Sequence, residues 1–323
     1  MVHANGEGRP FGRHNVEFER KTAMAKTKKT KGRSKLPVAV ETNGRKEVYV
    51  ARASAKAAKA AKAAAPFTIT VVFLGGLTTA QKNAFKAAAD RWSKVIVGDL
   101  PDVVIGGQVI DDVLIEASGV PIDGPGGILG QAGPTHLRPA GSGATSLIPA
   151  KGRMQFDTAD LAAMQSNGTL SDVITHEMGH VLGVGTIWNA KGLLNGTSSS
   201  NPTFTGTNAK KEYGVLKGTG PKPVPVENTG GPGTRNSHWR DTVFVNELMT
   251  GFVNSAPNPM SRVTVASLKD LGYKVDLTKA EAFELPDLLG LAEGGMLHAA
   301  AAHEAEGMVI PTVPMTLPPE AIA

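Results

Sequence analysis

His176-Glu177-Met178-Gly179-His180 is the stretch whose reading decides this chain. An α-helix advances about 100° per residue, so positions i and i+4 stand almost one above the other. His176 and His180 can therefore turn two imidazole nitrogens towards one metal ion from consecutive turns. Glu177 lies beside them, where a carboxylate can take a proton from a water activated by that metal. A surface helix with two solvated histidines would also satisfy the pentapeptide taken alone, so the flanking residues carry the decision.

Upstream, Leu170-Ser171-Asp172-Val173-Ile174-Thr175 reads as a helix start, with Ser171 as N-cap and Asp172 near the positive end of the helix dipole. Val173, Ile174, Met178, Val181 and Leu182 supply an apolar side for burial while the histidines face a cleft. Gly183 follows His180 by three residues and Gly185 comes two later. Glycine reaches positive φ at little cost, so the chain can leave the helix sharply and turn back beneath the metal. The pattern His-Glu-x-x-His-x-x-Gly is the metzincin form.

Short metzincins place a third histidine three residues after that glycine, and this chain has Thr186 there, a poor zinc ligand. The remaining histidines are His3, His14, His136, His238, His298 and His303. His3 and His14 lie in a basic start, and His298 and His303 in an alanine-rich stretch, five apart and off the i, i+4 register. His238 is the best candidate for the third ligand. It sits in Asn236-Ser237-His238-Trp239-Arg240, which leads into Glu247-Leu248-Met249-Thr250-Gly251. A methionine in a tight turn soon after the third ligand suits an apolar floor under the metal.

Taken together, the segment from His176 to Gly183, the insertion from about Thr186 to Ser237, Ser237-His238-Trp239 and Asn246-Glu247-Leu248-Met249-Thr250-Gly251 resemble leishmanolysin. Leu268-Lys269-Asp270-Leu271-Gly272-Tyr273 is similar to that family's closing helix. The likeness covers roughly residues 67–277 and looks like a short bacterial form. It implies an α+β metzincin-type zincin: a mixed twisted sheet and active-site helix in an N-terminal subdomain, followed by a mostly irregular or helical C-terminal subdomain. It also implies a zinc-dependent endopeptidase, in which His176, His180 and His238 hold one catalytic Zn²⁺ and Glu177 is the general base. Gly183 and Met249 support the site. Larger relatives are rich in disulfides, whereas this chain has no cysteine. Their membrane anchoring and cysteine-rich C-terminal domain are not carried over, and latency through a thiolate on zinc is excluded.

Charge divides the chain. Residues 1–65 hold 16 Lys/Arg against 5 Asp/Glu, a net +11, and residues 66–323 carry a net −6. The pI near 9.3 therefore describes the first segment, not the expected enzyme. Residues 24–35 form a basic run without apolar periodicity, expected to be disordered. Residues 51–65 are Ala/Lys-rich and expected to be helical when ordered, with Lys56, Lys59 and Lys62 along one side. Such a tail allows weak contact with nucleic acid or an anionic surface. That gives the alternative function: a nucleic-acid- or surface-binding protein on a degenerate protease domain. The intact Glu177 argues against it. Hydrolysis of a non-peptide amide also fits the motif alone. No secretory signal and no 18-residue apolar run is visible, so no transmembrane segment is expected and the compartment stays open.

Three parts follow: a tail at 1–65, a catalytic domain at 66–277 with its insertion at about 186–237, and a tail at 278–323. Within the domain, Phe67, Ile69, Val71 and Phe73 alternate as a strand. Residues 79–97 read as a long amphipathic helix, and 103–105 and 112–115 as short strands. Residues 124–133 are glycine-rich and read as a surface turn, without the lysine of a phosphate loop. Residues 153–157 read as an edge strand bordering the cleft, able to pair with an extended peptide substrate, and 158–165 as a short helix. Residues 189–233 read as mostly loop, 279–306 as partly helical, and 311–323 as proline-rich and disordered.

Overall fold

The computed structural model describes residues 46–251, 257–287 and 308–323. These fall within one compact unit, Ala39–Ala323. The basic run at 24–35, His3, His14, His298, His303 and most of the stretch expected to be partly helical at 279–306 lie outside the described residues.

Alternating apolar residues build the sheet. Strands β1 (Glu47–Arg52) and β2 (Thr68–Gly75) flank the short helix α1 (Ala55–Ala60). Phe67, Ile69, Val71 and Phe73 are all buried, as their period of two requires. Helix α2 (Thr79–Val95) starts at a capping box between Thr78 and Gln81 and buries Phe85, Ala88, Ala89, Trp92 and Val95. A small hairpin, β3 (Val103–Ile105) and β4 (Gln108–Ile110), precedes β5 (Val113–Val120), β6 (Ile128–Leu137) and β7 (Pro149–Asp157). Helices α3 (Thr158–Asn167) and α4 (Leu170–Val181) follow directly. Next come β8 (Leu194–Asn195), β9 (Thr203–Phe204), α5 (Thr207–Leu216), β10 (Val224–Pro225), α6 (Asp241–Phe244) and α7 (Arg262–Leu271), then β11 (Met308–Pro311) and β12 (Met315–Thr316).

The fold is mixed α+β. The main sheet runs β1-β2-β5-β7-β6-β11, with β12 also on β6. β2, β5 and β7 are parallel, β1 is antiparallel to β2 and β6 to β7, and β11 and β12 lie parallel to β6. α2 and α4 cover one side, joined where Trp92 Nε1 donates to Thr175 O at 2.8 Å.

Several expectations are corrected. The segment 153–157 belongs to β7, which is paired on both sides. The antiparallel return of β6 places β6 outside it, so β7 is an interior strand. The glycine-rich stretch is a turn only up to Gly127, and from Ile128 it supplies the first half of β6. Gly130 is needed there because a Cβ would stand 2.3 Å from Gln155 O. The insertion is mostly irregular, as expected, but it carries α5, which buries Ala209 and Tyr213 at i, i+4 spacing, and β8, β9 and β10 form a small sheet. Two segments expected as tails contribute strands to the main sheet. Glu47-Val48-Tyr49-Val50-Ala51 alternates, turning Tyr49 and Ala51 inward, and Glu47 pairs with Lys82 and Lys86 of α2. The helix in the Ala/Lys stretch is confined to α1, because residues 51–52 are already in β1. At the other end β11 and β12 line β6, while Leu317 and Ala321 are buried against Val103, Ile110 and Leu114.

Candidate active site

The motif helix is α4. Its N-cap position is Thr169 rather than Ser171, because α3 ends at the left-handed Gly168 only two residues before α4 begins. Asp172 sits in the first turn and is held by Arg91 Nη1 at 3.3 Å and Asn258 Nδ2 at 3.0 Å. After Val181 the chain turns through Gly183 (φ 103°) and Gly185 (φ 77°), conformations that residues with a Cβ rarely adopt. A Cβ on Gly185 would also stand 1.9 Å from Ser237 O. The two ends of the insertion therefore touch, and this contact delivers His238 back to the helix it left.

His176, His180 and His238 come together. Their Nε2 atoms lie 3.0 Å (176–180), 3.1 Å (176–238) and 2.9 Å (180–238) apart. Each Nδ1 faces a backbone carbonyl: Leu248 O at 2.6 Å, Val184 O at 2.9 Å and Thr234 O at 3.0 Å. Those carbonyls can only accept, so each Nδ1 carries the proton and each Nε2 presents a lone pair. Three acceptors pointed at one another cannot hydrogen-bond among themselves, and a cation resolves their repulsion. Their spacing is near the roughly 3.3 Å between nitrogens of a tetrahedral zinc site. The trio is the one all-histidine group among the described residues that can hold a metal ion.

All three rings are buried, which holds each near a pKa of about 3 and keeps it neutral, as metal ligation needs. Neighbouring rings add to the effect and the backbone contacts oppose it. Glu177 lines the same cavity, and burial pushes its carboxyl up to about 8. The cavity encloses about 1100 Å³ and is bordered by β6, the insertion and residues 308–314.

Met249 is fully buried, and its Sδ lies 2.7 Å from the point where a Cβ on Gly179 would stand, directly against the motif helix. Its turn is fixed at both ends: Met249 N donates to Glu247 Oε2 at 2.7 Å and Trp239 N donates to Met249 O at 2.9 Å. Thr186, which stands where short metzincins have histidine, donates its hydroxyl to His180 O at 2.8 Å. His136 lies on β6 and takes no part in the cluster.

Glu247 is the residue that sequence reasoning quoted without a role. Wholly buried, it accepts from Met249 N, Ser261 N (2.9 Å) and Thr264 Oγ1 (2.5 Å), while Trp239 Nε1 donates to Thr264 Oγ1 at 2.8 Å. One carboxylate thus ties the methionine turn, α7 and the residue after His238 into a single unit. Its signal was a lone acidic residue inside the apolar run before Met249.

A mixed fold with three buried, convergent imidazoles and an adjacent carboxylate defines a metal-dependent hydrolase site. The chain belongs to the leishmanolysin family: the family's model matches residues 111–291. That family consists of metallopeptidases that use zinc, which act on peptides. A search of curated proteins found no match. Among the described residues no helix is long and apolar enough to cross a membrane. The family match gives no support to nucleic-acid contact.

Proposed function

We propose that the chain is a metzincin-type zinc endopeptidase. The observation that carries this is the triangle of Nε2 atoms, 2.9–3.1 Å on a side, with every Nδ1 committed to a carbonyl. His176, His180 and His238 hold one Zn²⁺. When bound, zinc supplies a Lewis acid that polarises the scissile carbonyl and lowers the pKa of water towards about 7. The carbonyl partners of the three Nδ1 atoms lock ring tautomer and orientation. Glu177 takes a proton on its carboxylate from the attacking water and passes it to the departing amine nitrogen. Burial favours its protonated form, and the charge of a bound zinc would oppose that and favour the carboxylate that serves as base. Gly183 lets the chain turn under the site. Met249 keeps its floor dry and apolar, and Glu247 positions Met249.

A binding protein on a degenerate domain would keep Glu177 buried in the cavity with no task, and such a carboxylate is costly to bury idle. The test is cleavage of a denatured protein with and without a zinc chelator. It is paired with Glu177→Gln, which should keep the metal and lose at least about 10²-fold in turnover. Near-normal turnover by metal-loaded Glu177→Gln overturns the proposal.

A further inference from the structure

The cleft-side edge of β6 is already taken by a segment of the same chain. Residues 308–311 pair with β6 in parallel from Ile128 to Ala132, and 315–316 pair with His136 and Leu137. Met308 N donates to Gly127 O at 2.9 Å and Thr312 N to Ala132 O at 3.3 Å, and the Thr312 hydroxyl reaches Pro134 O at 2.5 Å. Met308, Val309, Pro311, Thr312 and Pro314 border the same cavity as His176, Glu177 and His238. An extended peptide approaching the histidines along β6 therefore meets main-chain groups that are in use.

The occupant is loosely seated and firmly tethered. Met308, Val313 and Met315 are 55%, 94% and 63% exposed, although all are apolar. Pro311 and Pro314 lack the N–H that a ladder needs, so the strand makes fewer bonds than its length allows. Just beyond it, Leu317 and Ala321 are buried, Leu317 N donates to Leu137 O at 2.8 Å, and Ala323 N donates to Asp102 O at 2.9 Å. A weak strand beside a fixed anchor is held at high effective concentration yet can be displaced.

We propose that residues 308–316 are a resident ligand of the cleft-side edge of β6, competing with extended peptide substrate for the same main-chain groups. The competition with substrate rests on the peptidase function proposed above, whereas the occupancy of β6 does not. The test replaces residues 308–316 of the full chain by nine Gly/Ser residues, leaving 317–323 intact, and compares it with the parent. In a Glu177→Gln background, a fluorescent peptide Met-Val-Ile-Pro-Thr-Val-Pro-Met-Thr should bind the replaced protein at least tenfold more tightly, by anisotropy. With Glu177 present, the replaced protein should show a severalfold lower KM and unchanged kcat on a peptide substrate. Thr312→Pro, which removes one donor and the hydroxyl, should move both readings the same way by less, and it decides the matter should the replacement not fold. Equal peptide affinity for parent and variants, or an unchanged KM, overturns the inference. Tighter peptide binding with no cleavage by any form removes the peptidase reading and leaves the resident strand standing.

Discussion

Gly179→Ala is the most economical probe of the site's packing. A Cβ at this position would stand 2.7 Å from Met249 Sδ, 3.0 Å from Met249 Cε and 2.8 Å from Trp92 Cζ2, well inside ordinary contact. Trp92 cannot retreat, being fully buried with its indole N–H fixed on Thr175 O. Met249 has a flexible side chain on a pinned backbone, so the thioether must swing or α4 must shift. Overpacking of this kind costs about 1–3 kcal/mol. Replacing a helical glycine by alanine returns up to about 1 kcal/mol. The net loss is about 1–2 kcal/mol, or about 2–8 °C in Tm for a domain of this size. Because α4 carries His176 and His180, the stabilisation by added zinc should also shrink, and tenfold weaker binding removes about 1.4 kcal/mol of it. The assay is thermal unfolding with chelator and with zinc. In a Met249→Ala background the penalty should fall by about 0.5 kcal/mol or more, since one of the two obstacles is gone. A chelated Gly179→Ala protein that melts at or above the parent would refute the packing argument.

Three further outcomes are expected. His238→Ala should lower zinc occupancy as severely as His180→Ala, while His136→Ala leaves it intact, and metal analysis of the purified variants distinguishes them. Asp157 receives N–H groups from Ile122, Ala159, Asp123 and Gly124, which hold its carboxyl below its ordinary 3.8. A depressed folded pKa gives stability that is present above the ordinary value and lost as pH falls through the folded one. The deficit of Asp157→Asn, about 1–3 kcal/mol at pH 7, should therefore narrow below about pH 4 in urea titrations, and a deficit constant with pH would contradict this. Deleting residues 1–65 removes β1 and opens the edge of β2, so this protein should melt lower and aggregate more than one lacking only 1–45. Equal melting would mean that the pairing of β1 contributes nothing.

The site was far more legible in the sequence than the sheet that carries it. Two histidines four apart on a helix announce themselves, because helical spacing makes them neighbours without help from the rest of the chain. His238 was readable for a different reason: the methionine turn after it marks where the chain must return. Glu247 was not, since an acidic residue in an apolar run reveals its partners only once α7 is packed against it. β1 was hidden by composition, as the short alternation Glu47-Val48-Tyr49-Val50-Ala51 sits at the end of a strongly basic stretch. β11 was hidden by its prolines, which argue for an irregular segment until a waiting sheet edge supplies the missing partners. The placing of β7 inside and β6 outside depends on how strands return, and local periodicity carries no such information. Glycines 130 and 133 read as turn signals, yet Gly130 lies where a neighbouring backbone leaves no room for a side chain.

The contact between Gly185 and Ser237 makes the insertion a handle, with both feet on the same spot of the frame. The geometry of the three imidazoles is set at the feet and by Thr234, whose carbonyl holds the His238 ring just before the second foot. Lengthening such a handle adds closure entropy only logarithmically, about 0.6 kcal/mol per doubling. Residues between about 189 and 233 can therefore be extended, trimmed or exchanged while the three histidines stay in register. The feet themselves tolerate no such freedom: a side chain at Gly185 would push them apart and separate His238 from its two partners.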